Sequence, residues 1–144
     1  MNTEKKAPTV ITGTVGTDAH VIGTKIVSRA LRDAGFNVVE LGIQVSPDEF
    51  IKVTQETNAD AILMSSLYGM AEIDLRGFNE KRLEAGLDDV ILYIGGILGV
   101  GRHDFKEDEE KFKKLGFDRV YPPEADLPSA IEDLKNDLKA KGKM

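Results

Sequence analysis

Asp18 and His20 stand two residues apart in the stretch GTVGTDAHVIGTK (13–25), a glycine-flanked turn between an apolar run and an amphipathic segment. An imidazole beside a carboxylate is equipped for proton transfer or, when neutral, for metal ligation. Two further stretches invite chemistry: the serine pair Ser65–Ser66 and the glycine-rich GGILGVG (95–101). Spacing excludes several arrangements. A dinucleotide fingerprint needs G-x-G-x-x-G after the first strand, whereas that turn reads GTVGTDAH, and GILGVG comes after a later strand with its spacing reversed. A P-loop needs glycine directly before lysine and four residues after an earlier glycine, and the GTK at 23–25 does not comply. No G-x-S-x-G elbow accompanies the second histidine, His103, which lies in a polar stretch and receives no function. Catalysis by side chains alone is therefore not expected.

These residues need elements to position them. The runs 9–15, 36–42, 60–66, 90–96 and 117–123 are short, rich in β-branched residues and bounded by turn formers, as strands buried on both faces should be. Between them lie helical patterns. Ile22, Ile26, Val27, Ala30, Leu31 and Ala34 recur at helical spacing and end at Gly35. Ser46, Pro47 and Glu49 form a helix start that runs to about Thr57. A third helix is predicted over 72–85, a fourth over 104–115 and a last one from Pro128 to about 141. The alternation βαβαβαβαβα implies an α/β domain: one doubly wound, five-stranded parallel sheet in the flavodoxin-like, Rossmann-like order 2-1-3-4-5. In that order the sheet's switch point lies between strands one and three, so a ligand belongs over the loops after strands one, three and four. Those loops carry Asp18 and His20, the serine pair and the glycines.

Composition narrows the ligand. The chain has 144 residues, 41% of them hydrophobic, which is one domain's worth, read as 1–144 with a core over about 8–126. A net charge of -6 without a clustered basic face excludes nucleic acid. No apolar run reaches the ~18–20 residues of a membrane span, and MNTEKKAPTV lacks a secretory signal's apolar stretch. Zero cysteines exclude disulfides and thiolate metal sites and fit a cytoplasmic protein. The charged stretch KEDEEKFKK (106–114) reads as a solvated helix face, and Tyr68 and Tyr121 as pocket wall or interface.

The combination Asp18-x-His20-x-x-Gly23 after the first strand, Ser65 and Ser66 ending the third, and Gly95-Gly96 ending the fourth resembles the cobalamin-binding domains over about Pro8 to Asp126. Within them, TDAHVIGTKI, SSLYGMAEID and GFDRVYPP look most like the small subunits of adenosylcobalamin-dependent glutamate mutases. The resemblance implies adenosylcobalamin bound base-off and His-on. His20 is then the axial cobalt ligand and Asp18 the carboxylate that fixes its tautomer. It implies cofactor contacts from Thr17, Asp18, Ala19, His20, Val21 and Gly23, from Ser65, Ser66 and Leu67, and from Gly95, Gly96, Ile97, Leu98, Gly99, Val100 and Gly101. The displaced nucleotide tail would lie in the sheet crevice, where glycines let backbone approach a flat heterocycle and Ser65 donates to its freed ring nitrogen. Three positions depart from the pattern: Thr17 stands where serine is common, Ala19 where cysteine occurs, and Ile97 where asparagine is expected.

The same resemblance implies a subunit inactive alone, with no catalytic side chain of its own. A larger barrel subunit would bind L-glutamate for its rearrangement to 3-methylaspartate, in a heterotetramer of two small and two large chains. Simpler roles stay open: Asp18 as the cap of the first helix, the serines as a strand end, the glycines as turn formers. So do three other functions, namely a corrinoid carrier for methyl transfer, the small component of methylmalonyl-CoA mutase, and a cobalamin sensor. The carrier usually has a helical module before the cobalamin domain, and here the first strand begins about nine residues in.

Overall fold

Alternation of buried side chains builds the molecule. The computed structural model describes residues 7–15, 22–66, 71–96, 105–122 and 125–144. Among these, five strands form one parallel sheet in the order β2-β1-β3-β4-β5: β1 (Thr9–Thr14), β2 (Asn37–Glu40), β3 (Ala61–Ser66), β4 (Ile91–Gly96) and β5 (Arg119–Tyr121). Along the three central strands, successive residues enter opposite faces. Ile11, Ile62, Met64, Leu92 and Ile94 join one core with Phe50, Phe78 and Phe112. Val10, Ala61, Ile91 and Tyr93 join the other with Leu31, Leu134 and Leu138. The first face is covered by α2 (Pro47–Thr57), α4 (Phe78–Glu84) and α5 (Phe105–Lys114), the second by α1 (Ile22–Asp33) and α6 (Leu127–Ala140). This is the predicted architecture, with edge strands of four and three residues where pairing ends.

Local signals act where the sequence places them. The Ser46 hydroxyl accepts from the Glu49 N–H at 3.2 Å, and Asn58 closes α2 in the left-handed conformation. The Asp126 carboxylate caps α6 by accepting from the Ser129 N–H at 3.2 Å and its hydroxyl at 2.6 Å. A buried pair, Thr12 Oγ1 and Ser28 Oγ at 2.8 Å, ties α1 to β1. Gly13 belongs to the packing: a Cβ there would lie 3.0 Å from the Phe50 ring and 3.3 Å from Val45, so α2 approaches β1 only over a glycine.

The third crossover departs from expectation. In place of one helix over 72–85, there is a turn of helix, α3 (Ala71–Asp74), and then α4, separated at Gly77 with φ 79°. Ala71, Leu75 and Phe78, each at most 1% exposed, enter the same core from both sides of the break. Their i, i+4, i+7 spacing is that of one helical face, which is why the stretch reads as a single helix; Gly77, with its positive φ, interrupts it.

Helix α6 is clamped to the β4–β5 side of the sheet by a polar cluster. Asp137 accepts two bonds from the Arg119 guanidinium, at 2.8 and 3.1 Å, and a short one from the Tyr93 hydroxyl. Tyr121 donates to Asp133 at 2.7 Å, and the two tyrosine rings lie 5.5 Å apart. Burial first, and then the bond to Asp137, pushes the Tyr93 hydroxyl far above its ordinary value; burial and Asp133 do the same for Tyr121. The Arg119 hydrogen bonds hold Asp137 below its ordinary value. A carboxylate whose pKa is depressed by folding stabilises above its unfolded pKa, and that contribution disappears as pH falls through the folded value. Asp137→Ala is therefore expected to lower stability by about 1–2 kcal/mol at neutral pH, discounted because Arg119 is 42% exposed. Urea unfolding at several pH values should show the gap between variant and parent closing below about pH 4.

Candidate functional site

The strand order leaves a crevice at the carboxyl end of the sheet. The chain leaves β1 toward β2 and β3 toward β4, so the crossovers diverge from between two neighbouring strands. Register pairs Thr14 with Ser65, Ser65 with Gly95 and Gly95 with Tyr121, so these four residues form one row across the sheet. The Val15 N–H donates to the Ser65 carbonyl at 3.0 Å and extends the row's order by one residue. From this row the chain passes into segments 16–21, 67–70 and 97–104. Thr17, Asp18, Ala19, His20, Val21, Leu67, Ile97, Leu98, Gly99, Val100 and Gly101 belong to those segments and lie outside the described residues, as do Tyr68 and His103.

Ser65, Ser66, Gly95, Gly96 and Gly23 are described. Behind the row, on the α1/α6 side, lies a cleft of about 280 Å³. Ser65 and Gly95 line it together with Ile26 and Val27 of α1, Leu63 of β3, Tyr93 of β4, Tyr121 of β5, and Leu127 and Ala130 of α6. The volume lies at the small end for ligand sites, which suits one flat ring system rather than a whole large cofactor. The lining is apolar, and the tyrosine hydroxyls are directed to Asp133 and Asp137, so the cleft meets their rings.

Neighbouring residues in the motifs divide their roles. Ser65 faces the cleft, whereas Ser66, one residue on, alternates to the other face, where its fully buried Oγ has no hydrogen-bond partner among the described residues. Gly96 has φ 113°, a conformation that favours glycine whatever lies nearby. Gly95 has no such backbone demand. Its added Cβ would meet Tyr121 at 3.4 and 3.6 Å, ordinary contact, and would otherwise occupy the cleft. The fold tolerates a side chain there; an occupant of the cleft would not. Gly23 is the second residue of α1, so the cost of glycine is smaller than the roughly 1 kcal/mol of a helix interior.

Sequence reasoning missed part of the wall. Ile26 read as core from its helical stripe, yet it is 56% exposed because that end of α1 lines the open cleft. Tyr93 and Leu127 carried no signal, since an apolar residue in a strand or first helical turn looks like core until the void beside it is known. Tyr121, read as pocket wall or interface, is wall. Among the described residues no group of three acidic or histidine side chains is arranged for a metal, and no helix is long and apolar enough to cross a membrane.

Comparison with known proteins agrees with this geometry. The B12 binding domain family matches residues 8–121. The glutamate mutase sigma subunit of Carboxydothermus hydrogenoformans is 55% identical over 133 residues, covering 92% of this chain and 97% of that one. Glutamate mutase sigma subunit 2 of Haloarcula marismortui is 57% identical over 130 residues, 90% of this chain and 87% of that one. Among solved structures, a cobalamin-binding protein from Desulfitobacterium hafniense superposes with a TM-score of 0.74 at 22% identity, covering 92% of this chain and 60% of the other, which shows a shared fold. The row of strand ends, the ring-lined cleft behind it and near-full-length identity above one half lead to one assignment: the chain belongs to the B12 binding domain family and, within it, to the glutamate mutase sigma subunits.

Proposed function

We propose that the chain is the cobalamin-carrying component of a glutamate mutase and that its cleft receives the cofactor's nucleotide tail. The observation that carries the cleft assignment is Gly95, a position where the protein has room for a Cβ on its own account and keeps the space open. His20 would hold the cobalt from below in place of the cofactor's own base, with Asp18 accepting from the imidazole to fix its tautomer. Thr17, Ala19, Val21 and Gly23 would support the same face, Ser65 would donate to the tail's ring nitrogen, and Ser66, Leu67, Gly96 and residues 97–101 would complete the contacts. When bound, adenosylcobalamin supplies the radical that starts the carbon-skeleton rearrangement of L-glutamate to 3-methylaspartate.

This chain's residues bind and orient. Among the described residues, the cleft's lining is apolar and offers no cationic side chain for two substrate carboxylates. A larger barrel subunit would bind the substrate and exclude water over the open face, in an assembly of two small and two large chains in the cytoplasm. Mixing this chain with such a subunit and adenosylcobalamin should give turnover of glutamate and none of methylmalonyl-CoA, while this chain alone turns over neither. Methylmalonyl-CoA turnover would reassign the substrate, and turnover by the isolated chain would end the carrier reading.

Two variants test the site. His20→Gly should keep the fold, read by circular dichroism, and lose the histidine hyperfine coupling in the cobalt(II) spectrum; an unchanged spectrum would remove His20 as ligand. Gly95→Ala should change stability by less than about 1 kcal/mol, yet weaken cobalamin binding about tenfold, because the added methyl enters the cleft.

A further inference from the structure

The wall of the cleft is held from behind. Tyr121 stands at the end of the strand row, in β5, an edge strand of three residues, and Pro122 follows it. An edge strand this short does little to fix a side chain, since it has a ladder partner on one side only. Beyond its packing against the second core, the Tyr121 ring is held by its hydroxyl, which donates to Asp133 on α6 at 2.7 Å, and by its tilted contact with Tyr93 at 5.5 Å. Asp133 does not line the cleft. Its side chain is 36% exposed, and its other charged neighbour, Arg119, is 3.9 Å away and already engaged twice by Asp137. Asp133 thus belongs to the polar cluster that docks α6, and its hydrogen bond there is to the ring that forms the wall.

We infer that Asp133 is a positioning residue for the nucleotide tail: it acts through Tyr121, keeping the ring against the cleft so that a flat heterocycle meets a preformed apolar surface. The inference rests on the proposal that the cleft takes the tail. A preformed wall spares the bound state the ordering of a free side chain, so loss of Asp133 weakens tail binding and leaves the rest of the corrinoid's contacts alone.

The test compares two ligands that differ in the tail. Adenosylcobalamin and adenosylcobinamide, which lacks the nucleotide, are titrated into the full chain, with dissociation constants taken from backbone amide shifts and stability from urea unfolding. The parent chain should bind the tailed ligand more tightly. In Asp133→Ala that preference should shrink by about five- to tenfold while cobinamide affinity is unchanged, and Tyr121→Leu should show the same shift. Asp133→Asn, which still accepts from the tyrosine hydroxyl, should restore the parent preference. If Asp133→Ala keeps the full preference, or loses affinity for both ligands alike with lowered stability, the positioning role is overturned. If the parent itself shows no preference, the cleft is not the tail site, and that separate result removes the proposal with it.

Discussion

Parallel pairing in the order 2-1-3-4-5 is the constraint from which the other features of this molecule follow. A parallel strand cannot return by a tight turn, so each strand end is followed by a crossover, and every crossover must lie on one face of the sheet or the other. Where successive crossovers part company, between β1 and β3, neither helix layer closes over the carboxyl end of the sheet. The fold makes a crevice there without any residue being selected for it. Register then sets its rim: Thr14, Ser65, Gly95 and Tyr121 lie level across four strands, and the chain segments beyond them start from a common edge.

Stability and binding are segregated along the same axis. The two hydrophobic cores lie on the two faces of the sheet, and close contacts such as Gly13 against Phe50 secure helix to strand. At the carboxyl end the packing opens. Ser65, Gly95 and Ile26 leave volume where larger or better packed side chains would increase burial, so the molecule gives up some apolar contact to keep a cleft. The tyrosines reconcile the two demands. Their rings serve the cleft, and their hydroxyls are directed to carboxylates on α6, so the same side chains dock a helix and form a wall.

This division explains why a common architecture serves a particular family. A doubly wound sheet is compatible with many functions, and the particular one resides in the loops and in the few positions that face the crevice. The relatives at 55% and 57% identity share nearly the whole chain, loops included, whereas the superposed solved structure at 22% shares the fold.

The sequence by itself determined the strands and most of the helices, because those depend on local chemistry. Alternating β-branched runs, the Ser46 cap, Asp126 before α6 and glycines with positive φ at 35 and 116 act within a few residues of themselves. It also carried the family, since Asp18-x-His20-x-x-Gly23 follows β1 in the sequence and the serine pair and the glycine pair end β3 and β4. Tertiary structure decided what depends on partners distant in the chain. The break at Gly77 leaves the apolar spacing of 71, 75 and 78 intact and so cannot be read from it, and Ile26 differs from Leu31 only in what lies opposite each on the sheet. Gly95 and Gly96, alike in sequence, separate into a position held open for the cleft and one demanded by its backbone; Ser65 and Ser66 separate to opposite faces. Composition and periodicity report which residues are apolar or turn-forming, but a cavity is a property of the space between elements, and that space exists only once register and helix docking are set.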